Sequence, residues 1–209
     1  RPMAGQIVAS NSYGLAALIE AAGGTAKLIG IARDEPDDLA QKISEADGAD
    51  ILVTTGGASA GDHDLVRPAL KAAGAKLEFY KIAMRPGKPM FFGKHGTMRI
   101  LGLPGNPVSS MIGARVFLVP LIARMLGRTD TMSVIKAELT GPVAANGPRD
   151  HYMRGRLDVT TTPPRVTPLP NQDSALAAAL SEADCLIVNP ANTPALSQGA
   201  SVSVLNLDF

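Results

Sequence analysis

The chain has 209 residues, 45% hydrophobic and 19% charged, enough to bury one good core or two smaller ones, and two domains are expected. A formal net charge of +1, aromatics at only 4% and no Trp argue against a global field or a stacking surface for nucleic acid. Apolar stretches break before the ~18 residues of a membrane span and no signal core is present, so a soluble, cytoplasmic protein without membrane partners is expected.

In chain order, residues 1–5 read as a loop cut out of something longer, because a proline and a glycine precede the first apolar residues and Met is not first. Gln6-Ile-Val leads into a helix that Ser10, Asn11 or Ser12 can cap, with Leu15, Leu18 and Ile19 as its apolar face and Gly23-Gly24 as its end. Residues 27–32 read as a strand and 36–46 as a helix with Asp37 and Asp38 in its first turn. The apolar run Ile51-Leu-Val is a further buried strand, and 65–73 a helix ended by Gly74. Such short connections favour right-handed crossover units and a mostly parallel sheet. Residues 76–83 read as a strand, and 90–93 and 98–103 as a hairpin around Lys94-His95-Gly96-Thr97. A long helix over 108–126 follows, which Pro120 should bend or split, with Gly127 at its end.

The composition changes near residue 128. Residues 1–128 hold 15 Lys and Arg against 11 Asp and Glu, whereas 129–209 hold 5 against 8. Beyond 128, segments beginning at Val134, His151, Arg165, Cys185 and Ser201 are short strands between Pro, Gly and Asn turns, interrupted by one helix over 174–183. The expected architecture is a three-layer α/β/α domain over 1–128 and a small β-barrel over 129–209. Cys185, the single cysteine, falls within Cys-Leu-Ile-Val and is expected to be a buried strand thiol; alone it excludes an intrachain disulfide and a Cys-built zinc cluster.

Three loops carry residues suited to chemistry. The first is Thr55-Gly-Gly-Ala-Ser-Ala-Gly-Asp-His-Asp64, at the carboxyl end of a strand, where ligands of open α/β sheets bind. Gly56, Gly57 and Gly61 allow close approach to an anion, and Thr54, Thr55 and Ser59 supply hydroxyls; a merely structural turn fits the same letters. The second, over 81–88, gathers Lys81, Arg85 and Lys88 around a Pro-Gly turn. Between Lys76 and Arg99 there are six basic residues against one acid, Glu78, which suits phosphate or another oxyanion and equally a solvated basic face. The third is Leu103-Pro-Gly-Asn-Pro107, where Pro104 and Pro107 fix the shape, Gly105 and Asn106 present polar groups, and Ser109 opens the helix behind. Asp34, Asp62 and Asp64 lie just past predicted strand ends, and Asp34 with Asp64 could hold Mg²⁺ together with a phosphate ligand. His63 is expected to be a bystander, His95 belongs to a turn and His151 to the β region, so no His cluster marks a zinc site.

The glycine loop, Met84-Arg-Pro-Gly-Lys-Pro and Gly102-Leu-Pro-Gly-Asn-Pro-Val-Ser, in that order, resemble the molybdopterin molybdenumtransferase family, which includes the E domain of gephyrin. Ser10-Asn-Ser, Gly30-Ile-Ala-Arg-Asp, Arg154-Gly-Arg-Leu, Asn171-Gln-Asp-Ser and Ala183-Asp-Cys-Leu-Ile-Val-Asn-Pro agree with it, so the resemblance covers nearly the whole chain. It implies a molybdopterin-binding α/β domain and a C-terminal barrel, the last two domains of a longer, homodimeric enzyme. That enzyme takes adenylylated molybdopterin and molybdate with Mg²⁺, inserts molybdenum and releases AMP. By position, Asp34 and Asp64 match the family's site acids, Lys81, Arg85 and Lys88 its basic loop, and Pro104 and Pro107 its proline loop; Thr55, Gly56, Gly57, Ser59, Gly61, Gly105, Asn106 and Ser109 would hold the pterin ligand. Arg85 stands where the family often has lysine, and alanines replace the usual valines in Ala58-Ser-Ala60. Two classes of function stay open: the molybdenum-transferring enzyme, or a non-catalytic module that binds molybdopterin or a protein partner.

Overall fold

The computed structural model describes residues 9–57, 65–129, 132–173 and 178–207. The glycine-loop residues Ser59, Gly61 and Asp64, together with Asp62 and His63, lie outside the described residues, as does the start of the chain through Val8.

The first half is the expected three-layer unit. Its sheet has the order β1 (Ile51–Thr55), β5 (Met98–Leu103), β4 (Phe91–His95), β2 (Lys76–Tyr80). Within this sheet, among the described strands, β1 and β5 pair in parallel, while β5–β4 and β4–β2 are antiparallel. Period-2 alternation divides the two faces. Leu52 and Ile100 turn to one core, where they meet Ile43 of α2 (Pro36–Ser44) and Leu70 of α3 (Val66–Ala72). Val53, Leu101 and Leu103 turn to the other, against Leu15 and Leu18 of α1 (Asn11–Ala21) and Leu118 and Ile122 of the long helix. On the first face Phe91 is fully buried over Gly102, where a Cβ would come within 2.0 Å of its ring, so the aromatic occupies the side-chain space that the glycine leaves.

The long helix runs through Pro107–Met125 as α4 (Pro107–Gly113), a π-helical turn over Ala114–Leu118 and α5 (Val119–Met125). Pro120 neither splits it nor needs a break. The proline removes one N–H and crowds the carbonyl four residues back, and the wider turn immediately before α5 accommodates that. At 19 residues this helix is long and apolar enough to cross a membrane, contrary to the expectation that no stretch would be, but 61% of its apolar window is buried, as in a core helix.

Two further expectations give way. Residues 27–32 form no strand: they pair with no described neighbour, and Leu28 and Ile31 are exposed while Ile29 packs on the core. An apolar alternation becomes a strand only where a ladder partner takes up its backbone groups. Helix α1 has no side-chain cap; Ser10 is already helical, and Asn11 turns its amide elsewhere.

The second half is a closed barrel of β6 (Val134–Leu139), β7 (Asp150–Asp158), β8 (Arg165–Pro168), β9 (Cys185–Asn189) and β10 (Ser201–Asn206). The order runs β7-β8-β6-β10-β9 and returns to β7. Alternate residues fill its interior: Ala137, Leu139, Val166, Cys185, Ile187, Val202 and Val204. Burial beside Asp184 pushes the Cys185 thiol up to about 12, so it is the inert core residue expected. Of the predicted helix over 174–183 the described part is α6 (Ala178–Ser181).

A two-residue strand, β3 (Met84–Arg85), joins the halves. It lies within the basic loop of the α/β half and pairs in parallel with the start of β7, Met84 opposite Asp150 and Arg85 opposite His151. Beneath it, Met84, Val108, Ile112 and Val116 pack on Leu186 and Leu205 of the barrel. Arg115, 3% exposed, donates from Nε to the Asn206 carbonyl at 2.9 Å across the same seam.

Candidate functional site

The glycine loop and the proline loop meet at the carboxyl ends of β1 and β5, two strands that lie side by side. The Gly56 N–H donates to the Leu103 carbonyl at 3.1 Å, carrying the ladder one residue beyond the strand. Gly56 and Gly57 have φ of 80° and 62°, two successive left-handed residues that a side chain would strain. A Cβ on Gly105 would stand 3.3 Å from Gly56 Cα, a tight contact, so the two backbones approach closely here. Asn11 ties this contact to α1: its side-chain amide donates to the Gly105 carbonyl at 2.8 Å. Pro104 is buried, Asn106 takes the extended conformation before α4, and Pro107 fills the first helical position, where its missing N–H costs nothing. Thr55 is exposed at the end of β1.

The basic loop closes on itself and leans on the start of α4. Lys81 N–H donates to Met90 carbonyl at 2.8 Å and Ile82 N–H to Lys88 carbonyl at 3.1 Å. At its tip, Gly87 has φ of 110°, and a Cβ there would stand 3.9 Å from the Ser109 carbonyl. The proline loop is therefore the hub: it touches the glycine loop at Gly105 and leads into the helical turn that backs the basic loop.

Between this loop and the barrel lies a cleft of about 380 Å³, lined by Arg85, Gly87, Lys88 and Ser109 on one side and Arg149, His151, Gln172 and Asp173 on the other. Of the three expected basic residues, Arg85 and Lys88 reach it. Lys81 does not line it; it lies at the loop's base with φ of 66°, its Nζ 4.9 Å from the Tyr80 ring centroid, while Arg67 sits 3.8 Å from the same centroid. The wider run of cations disperses too. Lys94 pairs with Glu78 at 2.7 Å, and Arg99 donates to the Thr97 carbonyl.

The barrel side went unread in the sequence. Arg149 is set by the amide of Asn146, which donates to the carbonyls of Arg149, Asn189 and Pro190 at 2.8, 2.9 and 2.8 Å. Gln172 is held by a reciprocal pair with the Arg154 backbone, accepting its N–H and donating to its carbonyl, both at 2.9 Å. The buried Arg154 guanidinium donates to the carbonyls of Asp173 and Asn171 at 3.1 and 3.0 Å. His151, 9% exposed, has its imidazole lowered to about 4 by burial first and by the charges of Arg85, Arg149 and Arg154 next. The signal was present in Arg149-Asp-His-Tyr-Met-Arg154. What could not be read was the β3–β7 pairing that carries this row to the basic loop.

Asp34 is exposed and, among the described residues, makes no hydrogen bond or ion pair; Arg33 beside it is engaged by Asp38. Among the described residues no three His, Cys, Asp or Glu side chains are grouped to hold a metal. One carboxylate of this kind suits an ion shared with a phosphate-bearing ligand and not a resident cage.

Loops gathered at the strand ends of a three-layer α/β unit, with a cationic cleft walled on its far side by a closed barrel, define an anion-binding α/β-plus-barrel architecture. Residues 2–124 match the family model described as a probable molybdopterin binding domain, and residues 136–207 match that of the MoeA C-terminal region (domain IV). The chain belongs to the molybdopterin molybdenumtransferase, or MoeA, family. It is 37% identical over 159 residues to a molybdopterin molybdenumtransferase of Nostoc, covering 73% of this chain and 36% of that protein. It is 32% identical to molybdopterin molybdenumtransferase 1 of Mycobacterium tuberculosis, covering 97% of this chain and 50% of the relative. The crystal structure of a molybdopterin biosynthesis MoeA protein from Pyrococcus horikoshii superposes with a TM-score of 0.84 at 27% identity, over 100% of this chain and 50% of that one. The chain thus spans half or less of the length of these relatives.

Proposed function

We propose that this chain carries the site at which molybdate meets adenylylated molybdopterin, with molybdenum inserted and AMP released. The observation that carries the reading is the cleft at the seam, where Arg85, Lys88 and Arg149 converge with Ser109 on a volume suited to a tetrahedral oxyanion. Arg85 presents a planar fork and Lys88 a point charge, so one orients the anion and the other adds field. The adjoining rim gives the pterin phosphates a place: the left-handed pair Gly56-Gly57, Thr55, Gly105, Asn106 and, from the family correspondence, Ser59 and Gly61. Pro104 and Pro107 hold that rim rigid, and Lys81 stabilises the base of the basic loop.

Asp34 and Asp64 would hold Mg²⁺ against the ligand's phosphates, where the ion supplies positive charge to the phosphoanhydride. The chain's own contribution is electrostatic: fixed cations and backbone N–H groups place two anionic ligands beside each other without a protein nucleophile. The domain boundary near residue 128 goes with this reading and is supported by the interval between the two matched segments. A homodimeric, cytoplasmic protein that engages neither nucleic acid nor membrane goes with it too.

The test is to incubate the chain, and separately the chain within its full-length protein, with adenylylated molybdopterin, molybdate and Mg²⁺ and to measure AMP. Release that disappears in Lys88→Ala supports the reading. Pterin binding without AMP from either form would favour the non-catalytic module instead.

A further inference from the structure

His151 stands directly across the ladder from Arg85 on β3 and from Asn189 on β9, and residues so paired share a face. It lines the cleft, yet among the described residues its ring takes part in no hydrogen bond. The charged and polar groups around it come from every element packed there. They are Arg85 and Lys88 from β3 and its turn, Arg149, Asp150 and Arg154 from β7 and its lead-in, Gln172 and Asp173 from the loop before α6, Ser109 from α4, and Asn189 from β9. Asp150 is turned away, its carboxylate accepting the Ala191 N–H at 2.8 Å. The Asn189 side-chain oxygen is buried without a partner among the described residues, an acceptor left open on the strand opposite.

We propose that His151 is a ligand of the oxyanion and gains a proton as the anion enters, so that filling the cleft and charging the imidazole are one coupled event. This rests on the reading of the cleft as an oxyanion site. No covalent bond to the anion forms; the neutral ring takes one proton from the buffered solution, whose conjugate acid supplies it, and becomes a donor at both nitrogens, one for the anion and one for an acceptor such as Asn189 Oδ1. With the cleft empty, burial and three arginines hold the ring neutral. A dianion offsets those charges and rewards a further donor, which restores the protonated form. Linkage then requires the anion to bind more tightly as pH falls.

Sulfate is the probe, because it stays a dianion throughout the range and its own charge cannot produce the effect. Calorimetry at constant ionic strength should show affinity rising about tenfold or more between about pH 7.5 and about pH 5, with net proton uptake when two buffers of different ionisation enthalpy are compared. His151→Gln should still bind sulfate but lose the pH dependence. Asp173→Asn should keep it, which separates the imidazole from the carboxylate that the described residues place in the cleft. Histidine ring resonances of the unaltered chain give a second readout that needs no variant: the His151 midpoint rises with sulfate. Sulfate binding whose pH dependence survives His151→Gln or vanishes in Asp173→Asn, or an unmoved His151 midpoint, overturns the coupling and leaves the oxyanion site standing. No sulfate or molybdate binding at any pH removes the site itself, and the coupling with it.

Discussion

Arg85 and Lys88 are three residues apart and differ in what they can do. Each faces the cleft from a turn braced by backbone hydrogen bonds, so little is lost when an anion fixes them. Replacing either with Ala should weaken sulfate or molybdate binding about tenfold or more, the size of one charge-assisted hydrogen bond, with the melting temperature little changed. Arg85→Lys should recover only part, since the ammonium cannot make the two-pronged contact. Glycines make a different point at the same scale. At Gly93 a Cβ would meet the Lys76 carbonyl oxygen at 2.6 Å, where the β2–β4 register shifts between Leu77 and Phe79. Because that neighbour is backbone and cannot swing away, Gly93→Ala should cost about 1–3 kcal/mol in urea unfolding without touching anion affinity.

At the scale of elements, the shortest strand matters most. β3 is two residues long, yet its pairing with β7 brings Arg85 to His151 and Arg149, and Met84, 3% exposed, anchors it in the apolar seam. Met84→Ala should cost about 2–5 kcal/mol and also weaken sulfate binding, because the loop loses its register on the barrel. Leu70→Ala, buried in a different cluster on the far face of the sheet, is the control: comparable destabilisation with affinity retained. These elements also show what can be read from letters. Helical spacing locates α2 and α3, and short apolar runs between Pro, Gly and Asn turns locate the barrel strands. The length of β3 gave it no pattern, and long-range register is not encoded locally, so the barrel's share of the cleft stayed hidden. Residues 27–32 failed for the converse reason: they carry a strand's alternation and pair with no described strand.

For the whole molecule, the two halves share one apolar seam and one cleft, so stability and binding respond together to pH. In the unfolded chain the His151 imidazole has its ordinary value of 6.5, and in the fold it is lowered to about 4. The unfolded state therefore binds the proton first as pH falls. Stability contributed by the neutral ring is complete above the unfolded value and is lost on descending through the window toward 4, by up to about 3 kcal/mol. Urea midpoints measured across that window should fall for the native chain and fall less for His151→Gln. The central claim is that the basic loop and the barrel together make one oxyanion site. The most direct measurement is anomalous scattering from crystals of this chain soaked in tungstate. A peak in contact with Arg85, Lys88 and Arg149, absent when Lys88 is Ala, is the predicted result; a well-diffracting crystal whose tungstate lies elsewhere, with the cleft empty, would contradict it.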